Sequence, residues 1–378
     1  MKFFNNPRQA RFLSRPNRFV VICNLGGKTV RAFLPNPGRL WELLLPGVVI
    51  YLEEVFREGR KLPFTAVAVE RNGHPVMLHT HTNNDVARYL IEKELIPGLK
   101  GAAIVKREVT VGKSRLDFLL RQGGKEIYLE VKSCTLFSKE VAMFPDAVTE
   151  RGRRHLEELA ALSGGKTGSA VLFIIHCPSI KHFLPEYHTD LDFAETLLSV
   201  RKRVKVIPLA VGWSNDLSLM PEVREVPVPW KMVEREAHDR GCYLLILRLR
   251  KGATIEVGKL GKVHFRKGYY TYVGSAKRCL SKRVERHRRL RKRLFWHIDY
   301  LRSVADFHTV LPIRTSEDLE CEVAGAVKEA ADGEVPGFGA SDCSCPAHLF
   351  WSDGDPMADT RFHSLILHYR MDRLFDDR

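Results

Sequence analysis

Two adjacent stretches carry the first chemistry this sequence offers. Arg115-Leu-Asp-Phe-Leu-Leu120 is followed, after the turn Gln122-Gly-Gly-Lys125, by Ile127-Tyr-Leu-Glu-Val-Lys132. The paired glycines suit a hairpin. Strand alternation then puts Ile127, Leu129 and Val131 on one face and Tyr128, Glu130 and Lys132 on the other. Asp117 and Glu130 can thus converge on one divalent ion, with Lys132 beside it. Two carboxylates hold a hard cation through oxygen, and the cation polarises a phosphodiester and acidifies a bound water. A nearby ammonium offsets charge in the transition state. This is the chemistry of a metal-dependent nuclease. The same alternation also describes any half-exposed strand, so the pattern alone leaves both readings open.

The surrounding elements divide the chain into three. At 378 residues it is too long for one ordinary core. Residues 1–82 read as short strands separated by glycine and proline signals, with a brief helix after Leu34-Pro-Asn-Pro-Gly-Arg-Leu40; this is the pattern of an OB-like β-barrel. Residues 83–230 alternate helices and strands, as an α/β sheet does: a helix over Val86 to Glu94, the hairpin, a helix starting near Thr149, and a buried strand over 170–176. Residues 221–240, with three prolines, read as a linker. Residues 241–378 form a third α/β segment, with strands ending at Leu249 and Ser275, a basic run from Lys277 to Arg293, and a helix expected to start near Thr315 in a capping box.

Composition bounds the partners. Sixty Lys and Arg against 45 Asp and Glu give +15, an excess that favours DNA or RNA as the anionic partner. No apolar run is long enough for a membrane helix, and the N-terminus lacks a signal-peptide core. Eight scattered cysteines read as reduced thiols, and the location expected is cytoplasmic. Trp41, Trp296 and Tyr300 lie near basic residues, where stacking on bases competes with ordinary core packing.

The first 230 residues resemble the sugar fermentation stimulation protein (SfsA) family through Leu34-Pro-Asn-Pro-Gly-Arg-Leu40, Ser114-Arg-Leu-Asp-Phe-Leu-Leu120, Leu129-Glu-Val-Lys-Ser133 and the stretch from Phe144 to Leu159. The resemblance implies an OB-like domain joined to a PD-(D/E)xK nuclease-like α/β domain, with DNA binding and nuclease activity. It makes Asp117 and Glu130 the metal ligands and Lys132 the catalytic lysine, with Mg2+ or Mn2+ as cofactor. It puts Arg39, Arg151 and His155 on the nucleic acid. Leu116 stands where the wider class has its proline, and Glu92 or Glu94 would supply a further acid from the first helix.

The last 138 residues resemble the GIY-YIG nuclease superfamily, in a branch sometimes attached to endonuclease III-type proteins. Gly241-Cys-Tyr243 stands for Gly-Ile-Tyr and Tyr272-Val-Gly274 for Tyr-Ile-Gly. This resemblance makes Tyr243, Tyr272 and Arg286 catalytic and Glu320, with Glu322 competing, the single acidic metal ligand. Arg283 and His287 then bind nucleic acid from the basic helix. Near the end, Cys343, Cys345 and His348 are close enough in sequence for a zinc site, but Cys343-Ser-Cys345-Pro-Ala-His348 lacks a second pair at zinc-finger separation, so a tight turn with buried thiols is the favoured reading and zinc the open alternative. Only proximity in the fold would add Cys321 as a fourth ligand. A non-catalytic DNA-binding regulator is the competing reading of the whole.

Overall fold

Ten residues of β1 (Arg8–Asn17) begin a sheet that closes on itself. In the computed structural model, which describes residues 1–376 other than 56–58, 60 and 113, β2 (Val20–Leu25) and β3 (Lys28–Phe33) turn back through Gly26 and Gly27, both at positive φ. With β4 (Val49–Glu54) and β5 (Phe64–Arg71) the order is β3-β2-β1-β4-β5, and the parallel pairs Ala32↔Phe64 and Phe33↔Thr65 join its ends. The result is the expected OB-like barrel, closed by five strands, with β6 (His74–Met77) added on β5.

The α/β sheet follows α1 (Asn83–Glu92). Its strands are β7 (Ala103–Val111), β8 (Ser114–Gln122), β9 (Lys125–Cys134), β12 (Thr167–Ile175), β14 (Lys205–Trp213) and β15 (Leu219–Glu225). A small sheet of β10 (Leu136–Phe137), β11 (Val141–Phe144) and β13 (His182–Pro185) sits apart from the main ladder, and α2 (Glu150–Leu162) and α3 (Leu191–Val200) complete the segment. The main order is β15-β14-β12-β9-β8-β7, with β9, β12 and β14 parallel. β12 is buried on both sides. Val171, Phe173 and Ile175 join a core shared with the barrel, α2 and α3, whereas Ala170, Leu172 and Ile174 join one shared with α1. Because barrel and sheet share both cores, Met1–Glu186 and Asp192–Val233 form one compact unit.

The expected linker is not one. Leu219–Glu225 pairs antiparallel with β14 as an edge strand, where Pro221 is tolerated because one side of the strand needs no ladder. Trp230–Glu236 is then a helix, α4.

The second unit comprises Tyr187–Leu191 and the chain from Glu234 onward. Its antiparallel sheet runs β20-β16-β19-β22-β21, from β16 (Gly241–Leu249), β19 (Gly268–Ala276), β20 (Asp306–Arg314), β21 (Gly333–Glu334) and β22 (Leu349–Ser352). A hairpin of β17 (Ala253–Glu256) and β18 (Lys262–Phe265) is separate. The helices are α5 (Leu280–Arg288), α6 (His297–Arg302), α7 (Glu320–Ala330) and α8 (Thr360–Arg370). The helix expected near Thr315 starts five residues later, because the Thr315 side chain accepts from Glu317 N–H at 3.0 Å and closes a turn instead. His188, from the inserted pentapeptide, is buried, with Nδ1 accepting from Arg314 N–H and Nε2 donating to the Arg370 carbonyl, both at 2.9 Å.

Candidate active site

The β8–β9 hairpin turns through Gly123 and Gly124, both at positive φ, with Gln122 opposite Lys125. Its register runs back to Phe118↔Leu129, so Asp117 and Glu130 face one another one step beyond the ladder. Asp117 Oδ2 accepts the Val131 N–H at 2.7 Å, and Oδ1 accepts the Asn84 side-chain amide at 2.7 Å. Glu130 is 4 % exposed. Its Oε1 accepts from Lys132 Nζ at 2.5 Å and from His155 Nδ1 at 2.6 Å, while Oε2 has no hydrogen-bond partner among the described residues. Arg151 Nε donates to His155 Nε2 at 3.3 Å, which leaves the His155 proton on Nδ1, directed at Glu130.

The electrostatics follow from that packing. Burial, and then the charge of Glu130, push the Asp117 carboxyl up to about 6. Burial also pushes Glu130 upward, but the His155 hydrogen bond and the Lys132 charge outweigh it and hold Glu130 below the ordinary carboxylate value. The two carboxylates therefore differ: Glu130 stays ionised, whereas Asp117 gains from any added positive charge.

Asp117, Glu130 and Lys132 are thus brought together, and three other expectations change. His155, expected on the nucleic acid, is 2 % exposed and turns its Nδ1 to Glu130, whereas Arg151 is exposed. Glu92 and Glu94 are exposed, and Glu92 lies eight residues along from Asn84, about 12 Å at 1.5 Å per residue. The helix delivers an amide, Asn84, which no charge or spacing signal marked. Arg39 is also not a free cation. Its Nε donates to the Asp146 carbonyl at 2.5 Å and its guanidinium stacks 4.5 Å from Trp41, so Trp41 serves as its platform. Asp146 Oδ2 in turn accepts from Leu40 N–H at 2.7 Å. Burial, and then Glu42, raise the Asp146 carboxyl. The Pro-Asn-Pro-Gly-Arg-Leu stretch clasps the loop ahead of α2, and a Cβ on Gly38 would lie 2.7 Å from Asp146 Oδ2.

In the second unit Tyr243 and Tyr272 lie on neighbouring strands, with Tyr243 opposite Gly274. Tyr243 Oη and His287 Nε2 are 2.8 Å apart. His287 is 1 % exposed, and burial, then Lys292, hold it down at about 3. It is a neutral, buried group, which leaves it no exposed surface for the nucleic-acid contact expected of it. Arg286 reaches both Asp299 oxygens, at 3.0 and 2.9 Å, so its charge is spent inside the unit. Arg283, partly exposed and without such a carboxylate pair among the described residues, also lies beside Trp296, 4.7 Å from the ring against 4.3 Å for Arg286, and its charge is felt at Tyr272 and Glu320. Trp296 and Tyr300 pack against the core, the bland alternative to base stacking. Glu320 accepts from Ser275 Oγ on one oxygen and pairs with His348 Nδ1 at 3.2 Å on the other. Cys343 and Cys345 are only half-buried, contrary to the tight turn of buried thiols expected there.

In the first unit a closed barrel shares its cores with an α/β sheet whose hairpin gathers two carboxylates and a lysine. The chain belongs to the SfsA family: it matches the SfsA N-terminal OB domain over residues 13–78 and the sugar fermentation stimulation protein RE domain over 81–216. A sugar fermentation stimulation protein homolog of Methanothermobacter thermautotrophicus is 38 % identical over 228 residues, 60 % of this chain and 95 % of the relative. One of Moorella thermoacetica is 41 % identical over 191 residues, 50 % of this chain and 82 % of its own. The solved structure of Pyrococcus furiosus SfsA in complex with Ca2+ shares 32 % identity with a TM-score of 0.55, covering 60 % of this chain and 97 % of that one. Residues 242–370 match a domain of unknown function, DUF123. Among the described residues no helix is long and apolar enough to cross a membrane.

Proposed function

We propose that the first unit is a metal-dependent nuclease of the PD-(D/E)xK type, hydrolysing phosphodiester bonds of DNA or RNA. The observation that carries the reading is Glu130 Oε2, a buried carboxylate oxygen without a hydrogen-bond partner among the described residues, set beside Asp117. Such an oxygen is costly to leave unmet, and two converging carboxylates are the donor set a hard cation takes. That a relative was solved with Ca2+ supports the fit. Mg2+ or Mn2+, when bound, supplies Lewis acidity and an acidified water. Asp117 and Glu130 would hold it; Asn84 and the Val131 N–H fix the Asp117 rotamer, and His155 fixes Glu130. Lys132 Nζ, within hydrogen-bond reach of Glu130, orients the attacking water or offsets charge on the phosphoryl oxygens.

We assign the second unit a holding role on a GIY-YIG-like fold, through Arg283 and the exposed part of the basic run. Cutting by Tyr243, Tyr272, Arg286 and Glu320 has less support: burial keeps both phenols protonated, Arg286 is committed to Asp299, and both Glu320 oxygens are engaged.

The test is cleavage of end-labelled single- and double-stranded DNA and RNA with Mg2+ or Mn2+, wild type against Asp117→Asn. Products from wild type alone support the reading and reveal the substrate. Equal products from both move the chemistry to Glu320. No products with tight, salt-sensitive binding favour the non-catalytic regulator.

A further inference from the structure

The second unit holds a cluster that neither the nuclease reading nor the family comparisons use. Cys321 lies in the first turn of α7, Cys343 and Cys345 in the loop after β21, and His348 immediately before β22. One ligand atom from each lies within 4.8 Å of all the others. Cys343 Sγ and His348 Nε2 are 3.4 Å apart. A tetrahedral ion with Zn–S bonds of about 2.3 Å sets its ligand atoms about 3.8 Å apart, so the four need only small adjustments to close on one centre. A cubane iron–sulfur cluster spreads its thiolates wider than this.

We propose that Cys321, Cys343, Cys345 and His348 bind one structural zinc ion, with Glu320 positioning His348. The donor set, three sulfurs and one imidazole with no open position, is that of a closed structural site. On binding, the three thiols give their protons to solvent and the ion takes the thiolates. His348 is 1 % exposed, and its two ring nitrogens divide the work: Nε2 faces the sulfurs and Nδ1 faces Glu320 Oε1. A carboxylate on the far nitrogen of a ligating histidine fixes its tautomer and orientation. Ser275 holds the other Glu320 oxygen, so the carboxylate is itself oriented from β19.

The backbone shows what the ion secures. The loop closes at its base through Gly337 N–H to the Pro346 carbonyl and His348 N–H to the Phe338 carbonyl, both 2.8 Å. Phe338 is fully buried beside Tyr272, and Gly339, at φ +76°, sits so close that a Cβ would lie 2.7 Å from the Tyr272 ring. Between these anchors residues 340–347 have no helix or strand. A zinc ion would staple that span to α7 and hold the loop against Tyr272. Glu320 is then a positioning residue for the zinc ligand. The proposal is independent of the nuclease reading.

The full chain, purified under reducing conditions and dialysed, is analysed for metal and for acid-labile sulfide. The expected result is one zinc per chain, and replacement by Co2+ giving the intense ligand-field bands and thiolate charge transfer of a tetrahedral site. Cys345→Ser should lose the metal, while Cys279→Ser, at an exposed cysteine outside the cluster, should keep it. Glu320→Gln should keep the stoichiometry but weaken zinc affinity about 10–100-fold in a chelator competition. Wild-type protein without stoichiometric zinc and without the cobalt thiolate bands overturns the site, even where Cys345→Ser fails to fold. So does iron with sulfide, or equal metal loss in Cys279→Ser.

Discussion

The two oxygens of Glu130 do different things, and most of the chemistry follows from that division. Oε1 is saturated by Lys132 and His155, which keeps the group ionised in a buried position, and Oε2, without a partner among the described residues, is the oxygen proposed to meet the ion. Lys132→Ala should therefore cut the rate about 100–1,000-fold or more in single-turnover cleavage while binding, read by mobility shift, stays nearly intact. Equal loss of both would show that Lys132 binds or folds. Asp117 sets the pH dependence. Its folded value, about 6, lies above the ordinary 3.8, so the folded chain keeps a proton that the unfolded chain has released. The associated stability is present below the ordinary value and lost as pH rises through about 6. A cation competes for the same position. Calorimetric Ca2+ affinity should thus rise by up to about tenfold per pH unit below 6 and level off above it. Asp117→Asn should flatten that profile; an unchanged profile would place the titrating group elsewhere.

At the scale of elements, the site depends on how α2 and the hairpin are pinned. Thr149 caps α2, its hydroxyl accepting from Gly152 N–H at 3.0 Å. Thr149→Ala should cost about 1 kcal/mol, a drop of about 2–4 °C in the melting temperature. This helix start was expected near Thr149, because a threonine cap is local chemistry. The role of His155 was not: its spacing from Arg151 reports a shared helix face, and only packing decides whether that face meets solvent or Glu130. In the second unit Asp299 is the corresponding pin. It is 1 % exposed and accepts from Arg286, from Lys292 Nζ at 2.8 Å, and from the N–H groups of Phe295 and Trp296. Those partners outweigh the upward push of burial and hold it at about 2. Asp299→Ala strands two cations and should destabilise the unit by about 3–5 kcal/mol in chemical denaturation. A change under 1 kcal/mol would mean that the basic run is not tied down here.

For the whole molecule, the net charge of +15 predicts binding that weakens steeply with salt. The basic run is not uniform, since Arg286 and Lys292 are neutralised internally while Lys282, Arg289 and Arg291 are exposed. Replacing those three with Gln should weaken binding across all sequences. It should also reduce the slope of log affinity against log salt by about 0.9 for each duplex-DNA phosphate that is no longer neutralised. Cleavage at saturating substrate should be unchanged. An unaltered slope would locate the binding surface off the basic helix.

The sequence by itself determined what depends on neighbours in the chain. The glycine turns set the barrel and hairpin registers, and strand alternation put Glu130 and Lys132 on one face. The unbroken apolar run over 170–175 became the central strand. Tertiary structure decided every pairing between distant segments: Asn84 with Asp117, Arg39 with Asp146, His155 with Glu130, and Cys321 with the thiols of the loop after β21. The reason is physical. Local geometry fixes a side chain's direction through the period of its element, but burial and partners come from the packing of elements. No period encodes which faces meet.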